Sequence, residues 1–149
     1  MIIAIGNDHH GFAQKLLIKE QFDLPKLMLE WFDVGSFEQK RVDYPHYGIK
    51  VARAVAMGEA QFGILLCGTG VGMSIVANRF KGVYAALVWN SELARKSKED
   101  DNANILVIPS DYIDEGELLP MIEAWMKATF KGGRYQERLD TIDELGGVK

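Results

Sequence analysis

Phe62-Gly63-Ile64-Leu65-Leu66-Cys67-Gly68-Thr69-Gly70-Val71-Gly72 decides how the rest of this chain is read. Residues 62–66 form a short, unbroken apolar run, as expected of a strand buried on both faces. Residues 73–80 resume with helical spacing, so the glycines between them mark a strand-to-helix turn. The turn has neither the Gly-Lys-Ser/Thr of a Walker loop nor the GxGxxG spacing of a dinucleotide site. Alternate glycines leave main-chain N–H groups open beside a helix start, an arrangement that suits an anion or a developing oxyanion.

Similar units lie on either side. Mostly apolar segments at 2–5, 28–34, 83–88 and 104–108 read as four more strands. Helical stretches are expected at 11–22, from Pro45 to about 57, after a Ser91 N-cap, at 114–130 and at 134–145. Strands joined by helical crossovers predict one α/β domain over residues 1–149 with a five-stranded parallel sheet and a C-terminal helical extension. Ligands in such sheets bind beyond the carboxyl ends of the strands, so the residues just after each strand carry the functional information.

Composition narrows the partners. Among 149 residues the net charge is −4 and no basic stripe is present, which argues against nucleic acid. A single cysteine permits no internal disulfide, and no apolar run approaches the roughly 20 residues of a membrane span. No basic segment precedes the short apolar N-terminus, so a cytoplasmic location and no membrane partner are expected.

Cys67 heads the glycine turn. A lone cysteine is ordinarily a small buried hydrophobe, but a helix N-terminus can lower a thiol's pKa and make it a base. With Thr69 and the loop amides beside it, a base and an oxyanion hole would sit on adjacent residues, as proton abstraction next to a carbonyl requires. After the first strand come Asn7-Asp8-His9-His10, read either as an N-cap with surface histidines or as hydroxyl-binding groups. The adjacent histidines are expected to point apart, and no cluster has metal-ligand spacing. Arg134 and Arg138, spaced i and i+4, fall on one helix face and can clamp a phosphate; Arg41 is a further cation. Trp125 and Met126 are assigned to core or subunit contact.

Taken together, Gly6-Asn7-Asp8-His9, Asp43-Tyr44-Pro45-His46-Tyr47, the 67–72 turn with Ser74 and Ala77-Asn78, Asn102-Ala103-Asn104 and Gly132-Gly133-Arg134 with Arg138 resemble the family of ribose-5-phosphate isomerase B and galactose-6-phosphate isomerase subunits. The resemblance runs nearly end to end. It implies a Rossmann-like three-layer domain, a homodimer or homotetramer with residues 131–149 packed on a partner subunit, and no metal or organic cofactor. It implies an aldose–ketose isomerase of sugar phosphates working through a cis-enediolate. Cys67 is then the base, Thr69 its assistant, and Gly68, Gly70, Val71 and Gly72 the anion cradle. Asp8 and His9 contact the sugar or phosphate with Tyr44 near them in the substrate site, and Arg134 and Arg138 bind phosphate across the dimer interface. Some relatives place a Glu where this chain has Met73, so the sequence resembles the cysteine type.

Two positions depart from the family pattern. The ring-opening His falls on Asp100, followed by Asp101 in place of Asn, and a frequent Arg falls on Asp111. A solvated Asp is a poor acid near neutral pH, and extra carboxylates repel phosphate. The departures imply a shifted substrate: a tetrose phosphate that needs no ring opening, or another pentose or hexose phosphate opened by Asp100, His9 or His10. The competing expectation is a non-catalytic sugar-phosphate or nucleotide-binding sensor.

Overall fold

The computed structural model describes residues 1–145. Strands β1 (Ile2–Asn7), β2 (Glu30–Asp33), β3 (Phe62–Cys67), β4 (Ala85–Leu87) and β5 (Ile105–Pro109) form one sheet in the order β2-β1-β3-β5-β4. Every neighbouring pair is parallel. The helices are α1 (Phe12–Gln21), α2 (Tyr44–Ala56), α3 (Val71–Ala77), α4 (Ser91–Asp101), α5 (Glu115–Lys127) and α6 (Arg134–Glu144).

The pleat divides the core in two. Ile3, Ile5, Ile64, Leu66, Leu106 and Ile108 face α1, α4 and α5, whereas Ala4, Leu65, Cys67, Ile105 and Val107 face α2 and α3. Burial on both faces is why these strands are apolar throughout rather than alternating. Trp125 is fully buried and its indole N–H donates to the Ala103 carbonyl at 2.9 Å, which places it in the core.

Element ends differ from the sequence expectation for local reasons. β2 starts at Glu30 because a 3-10 turn at Pro25–Leu27 ends with Met28 at φ +50°. β4 shrinks to three residues at the sheet edge. Asn90, not Ser91, caps α4, its side-chain oxygen accepting the Leu93 N–H at 2.8 Å. α2 opens at Tyr44, with Pro45 in its first turn.

From β1 the chain passes to β2 on one side, then crosses to β3 on the other. The carboxyl ends of β1 and β3 therefore flank the point where connections diverge, the crevice that open α/β sheets use. α6 rests on its own chain, with Leu139 buried and the Tyr84 hydroxyl donating to Asp143 at 2.7 Å. Residues 146–149, part of the segment expected on a partner, lie outside the described residues. Among the described residues no helix is long and apolar enough to cross a membrane.

Candidate active site

Cys67 is the last residue of β3 and only 5% exposed, packed on the α2/α3 face. The turn curls back over it, so the Gly70 N–H donates to its Sγ at 3.2 Å. That curl needs Gly70 at φ +76°, and a side chain there would run into Leu87. The Val71 N–H donates to Thr69 Oγ1 at 3.3 Å, which leaves the exposed Thr69 hydroxyl proton free to donate.

The expectation of a lowered thiol pKa is corrected. Burial pushes the Cys67 thiol above its ordinary value, and nearby Asp8 adds to the rise; main-chain N–H groups of Met73, Gly70 and Thr69 pull only partly against it. The helix behind the turn is too short, and the sulfur too dry, for the amides to win.

Asp8 is buried, and the N-cap reading of it holds. It caps a 3-10 turn at His9–Gly11, its Oδ1 accepting from the N–H groups of His10 (2.9 Å) and Gly11 (3.3 Å). The tight turn brings the His9 and His10 rings to 4.3 Å, so they do not diverge as expected. Ligand atoms of Asp8, His9 and His10 lie within 4.8 Å of one another, close enough for a cation. Asp8 Oδ1 is engaged by amides and His10 Nδ1 by Asp111, so the trio reads as a hydrogen-bonding set.

Tyr44 lies beside the turn, its ring occupying the space that a side chain at Gly72 would need. His10 and Asp111 flank Gly68 from the opposite face. A Cβ on Gly68 would come 3.4 Å from His10 Cγ and 2.9 Å from Asp111 Oδ2. The Asp111 N–H donates to the Gly68 carbonyl at 3.1 Å, and His10 Nδ1 sits 3.0 Å from Asp111 Oδ2.

Among the described residues, five buried side-chain atoms lack a hydrogen-bond partner: Asn7 Oδ1, His9 Nδ1, Gln14 Oε1, Ser74 Oγ and Ser110 Oγ. Each ends or follows β1, β3 or β5 or lies in the first turns of the helix after it, so all gather at the carboxyl edge of the sheet. Buried polar atoms are ordinarily satisfied, and these five share the edge of the sheet where Cys67 and the glycine turn lie. Gln14 and Ser110 are absent from the sequence expectation. Nothing in their local spacing distinguishes them; only the fold pairs Gln14 Nε2 with the Ser110 carbonyl at 3.1 Å.

The loop after β2 is pinned from below. Lys15, 1% exposed, donates to Asp33 Oδ1 at 3.0 Å and to the Ser36 carbonyl at 2.6 Å. Burial pulls its ammonium below the usual lysine range. Burial also opposes the Asp33 carboxylate, but hydrogen bonds from Lys19, the Gly35 N–H and Lys15 outweigh it and hold Asp33 below its ordinary value.

The remaining expected residues lie elsewhere. α4 runs against the strands, so Asp100 and Asp101 at its end stand at the amino edge, away from Cys67. Asp100 is bound to Lys131 at 2.7 Å, and that bond keeps its carboxyl below the usual range. Asp101 lines a groove of ≈ 640 Å³ with Phe80, Tyr84 and Leu139. Arg134 and Arg138 do share a side, both guanidinium groups lying over the Tyr135 ring at 5.1 and 5.2 Å, with Lys131 at 5.0 Å. One chain thus splits the expected site between two opposite edges.

Residues 3–142 match the model of a family described as Ribose/Galactose Isomerase. The chain is 40% identical to ribose-5-phosphate isomerase B of Escherichia coli over 143 residues, 96% of this chain and 95% of that protein. The structure of ribose-5-phosphate isomerase B from Clostridium thermocellum superposes with TM-score 0.92 at 42% identity, covering 97% of each chain. That of the Mycoplasma genitalium protein with bound ribulose-5-phosphate gives TM-score 0.92 at 35% identity, covering 99% of this chain and 97% of that one.

Proposed function

The chain belongs to the ribose/galactose isomerase family, and on that premise we propose that it interconverts an aldose phosphate and a ketose phosphate with Cys67 as the proton carrier. The observation that carries this reading is the Gly70 N–H on Cys67 Sγ, at the exit of the central strand and amid unsatisfied polar atoms.

In the open-chain aldose phosphate, the Cys67 thiolate takes the proton from C2. The electron pair moves into the C1–C2 bond and the carbonyl oxygen becomes an enediolate oxygen. The Gly68–Gly72 amides and the Thr69 hydroxyl donate to that oxygen, which stabilises charge that exists only along the reaction path. The O2 hydroxyl proton moves to O1, and as C2=O2 forms the thiol returns the first proton to C1. A raised thiol pKa makes the thiolate a stronger base but a rarer one, so turnover climbs with pH through the range where the thiol ionises.

Asp8, His9 and Tyr44 hold the sugar hydroxyls. Arg134 and Arg138 bind phosphate, and their place at the amino edge supports a homodimer in which one chain's amino edge closes over the other's carboxyl edge. Half-exposed Val71 and Ile75 on α3, beside the turn, support the same contact. Pairs of such dimers would make a homotetramer. Asp101 approaches the sugar in that arrangement.

Asp100 and Asp111 are both paired, so they repel phosphate less than their sequence positions suggest. Ribose 5-phosphate, another pentose, a tetrose or a hexose phosphate all remain within reach of this site. The burial of Cys67 favours a second reading, a non-catalytic sugar-phosphate sensor. One experiment tests both: isomerase assays over four-, five- and six-carbon sugar phosphates beside Cys67→Ala. A fall of about 10²–10⁴ in the variant is expected. Undiminished turnover in Cys67→Ala removes the mechanism, and binding without turnover in the wild type supports the sensor.

A further inference from the structure

We propose that His10, held by Asp111, is the group that opens the sugar ring. This rests on the isomerase reading and assigns a step that Cys67 cannot perform, because a furanose has no carbonyl until its ring breaks.

The geometry selects His10. Its ring lies against Gly68, the residue after Cys67, at the carboxyl edge where the turn opens. Its Nδ1 is 3.0 and 3.2 Å from the two oxygens of Asp111. A carboxylate only accepts, so it fixes the hydrogen on Nδ1 and leaves the Nε2 lone pair free. Asp111 is itself anchored by its N–H on the Gly68 carbonyl, so carboxylate, imidazole and turn form one unit. Both side chains are near half exposed, 43% and 48%, as a group that meets substrate must be.

The alternatives have other duties. Asp8 spends its carboxylate on the His10 and Gly11 amides. Asp100 is tied to Lys131 and is an acceptor only. His9 is more buried than His10, and its Nδ1 faces no donor or acceptor of the chain.

The step balances without a further reactant. His10 Nε2 takes the proton from the anomeric hydroxyl, the C1–O4 bond breaks as C1=O1 forms, and the imidazolium returns the proton to O4. Asp111 is a positioning residue: it sets the tautomer and steadies the transient imidazolium.

The test separates ring opening from proton transfer at carbon. Ribulose 5-phosphate is open-chain, because its C5 oxygen carries phosphate, so exchange of its C1 hydrogen with D2O needs Cys67 but no ring opener. Conversion of ribose 5-phosphate, a furanose, needs both. Exchange by NMR and conversion by absorbance are measured for wild type, His10→Asn, Asp111→Asn and Cys67→Ala. The ratio of conversion to exchange is expected to fall at least about tenfold in His10→Asn and by a smaller factor in Asp111→Asn. Cys67→Ala is expected to lose both reactions. An unchanged ratio in His10→Asn overturns the assignment, even if both rates fall together. A wild type that supports neither reaction on any sugar phosphate removes the isomerase reading itself. Retained exchange in His10→Asn and in Asp111→Asn reports that these two variants are folded.

Discussion

Gly70→Ala and Gly58→Ala form a matched pair that weighs the turn beneath Cys67. Both glycines have φ +76°. A Cβ on Gly58 would meet nothing within 4 Å, whereas one on Gly70 would strike Leu87 Cδ1 and approach Val107 Cγ1 at 3.3 Å. Gly58→Ala therefore carries only the left-handed penalty, about 1 kcal/mol. Gly70→Ala adds overpacking against a core with no slack, about 1–3 kcal/mol more. The summed cost of roughly 2–4 kcal/mol lowers the urea midpoint by about 1–2 M at fixed protein concentration, against a few tenths to half a molar for Gly58→Ala. Function should separate more sharply. Gly58 follows α2 at the amino edge, and its variant keeps wild-type turnover. Gly70 donates to Cys67 Sγ, so shifting it by the few tenths of an ångström that a methyl demands spoils the cradle and lowers kcat. Equal stability losses for the two variants, or full turnover in Gly70→Ala, would refute this account of the turn.

Lys15→Met, which leaves Asp33 with Lys19 and the Gly35 N–H, is expected to destabilise by about 3 kcal/mol, the low end for breaking a buried pair. Because Asp33 is held below its ordinary 3.8, that stability is present above pH 4 and fades as pH falls through the lowered value; urea titrations of both proteins at pH 7 and pH 3 check it. Lys98 lies over the Phe62 ring at 4.0 Å with no carboxylate partner among the described residues, and burial pushes its ammonium down to about 8. The unfolded chain holds that proton to higher pH, so stability rises between about pH 8 and 10, and Lys98→Met abolishes the rise in thermal-melt series; a rise that persists in the variant contradicts the assignment. Above pH 10 the sign reverses, because Tyr84, raised to about 12 by burial and Asp143, stays protonated longer in the fold. Cys67 in the native protein at pH 8 should react with iodoacetamide at least about tenfold more slowly than in urea, and the rate should still be climbing past pH 9; fast native labelling would show that the thiol is not raised.

The sequence determined the architecture and one half of the chemistry. Runs such as 62–66 and 105–108 are apolar on every residue, and only a parallel sheet covered on both faces buries them. The 67–72 turn is local, so its fold, its glycines and the placing of Cys67 at a strand end follow from contiguous residues. The shared side of Arg134 and Arg138 was likewise legible, through helical spacing. Tertiary structure decided what depends on distance and water. His10 and Asp111 are 101 residues apart and meet only because β1 and β5 end on the same edge of the sheet. The same geometry sends Asp100 and Asp101 to the other edge, since a crossover helix must run back against its strands. The thiol's rise came from desolvation, a property of everything packed around Cys67 and of no residue in its motif.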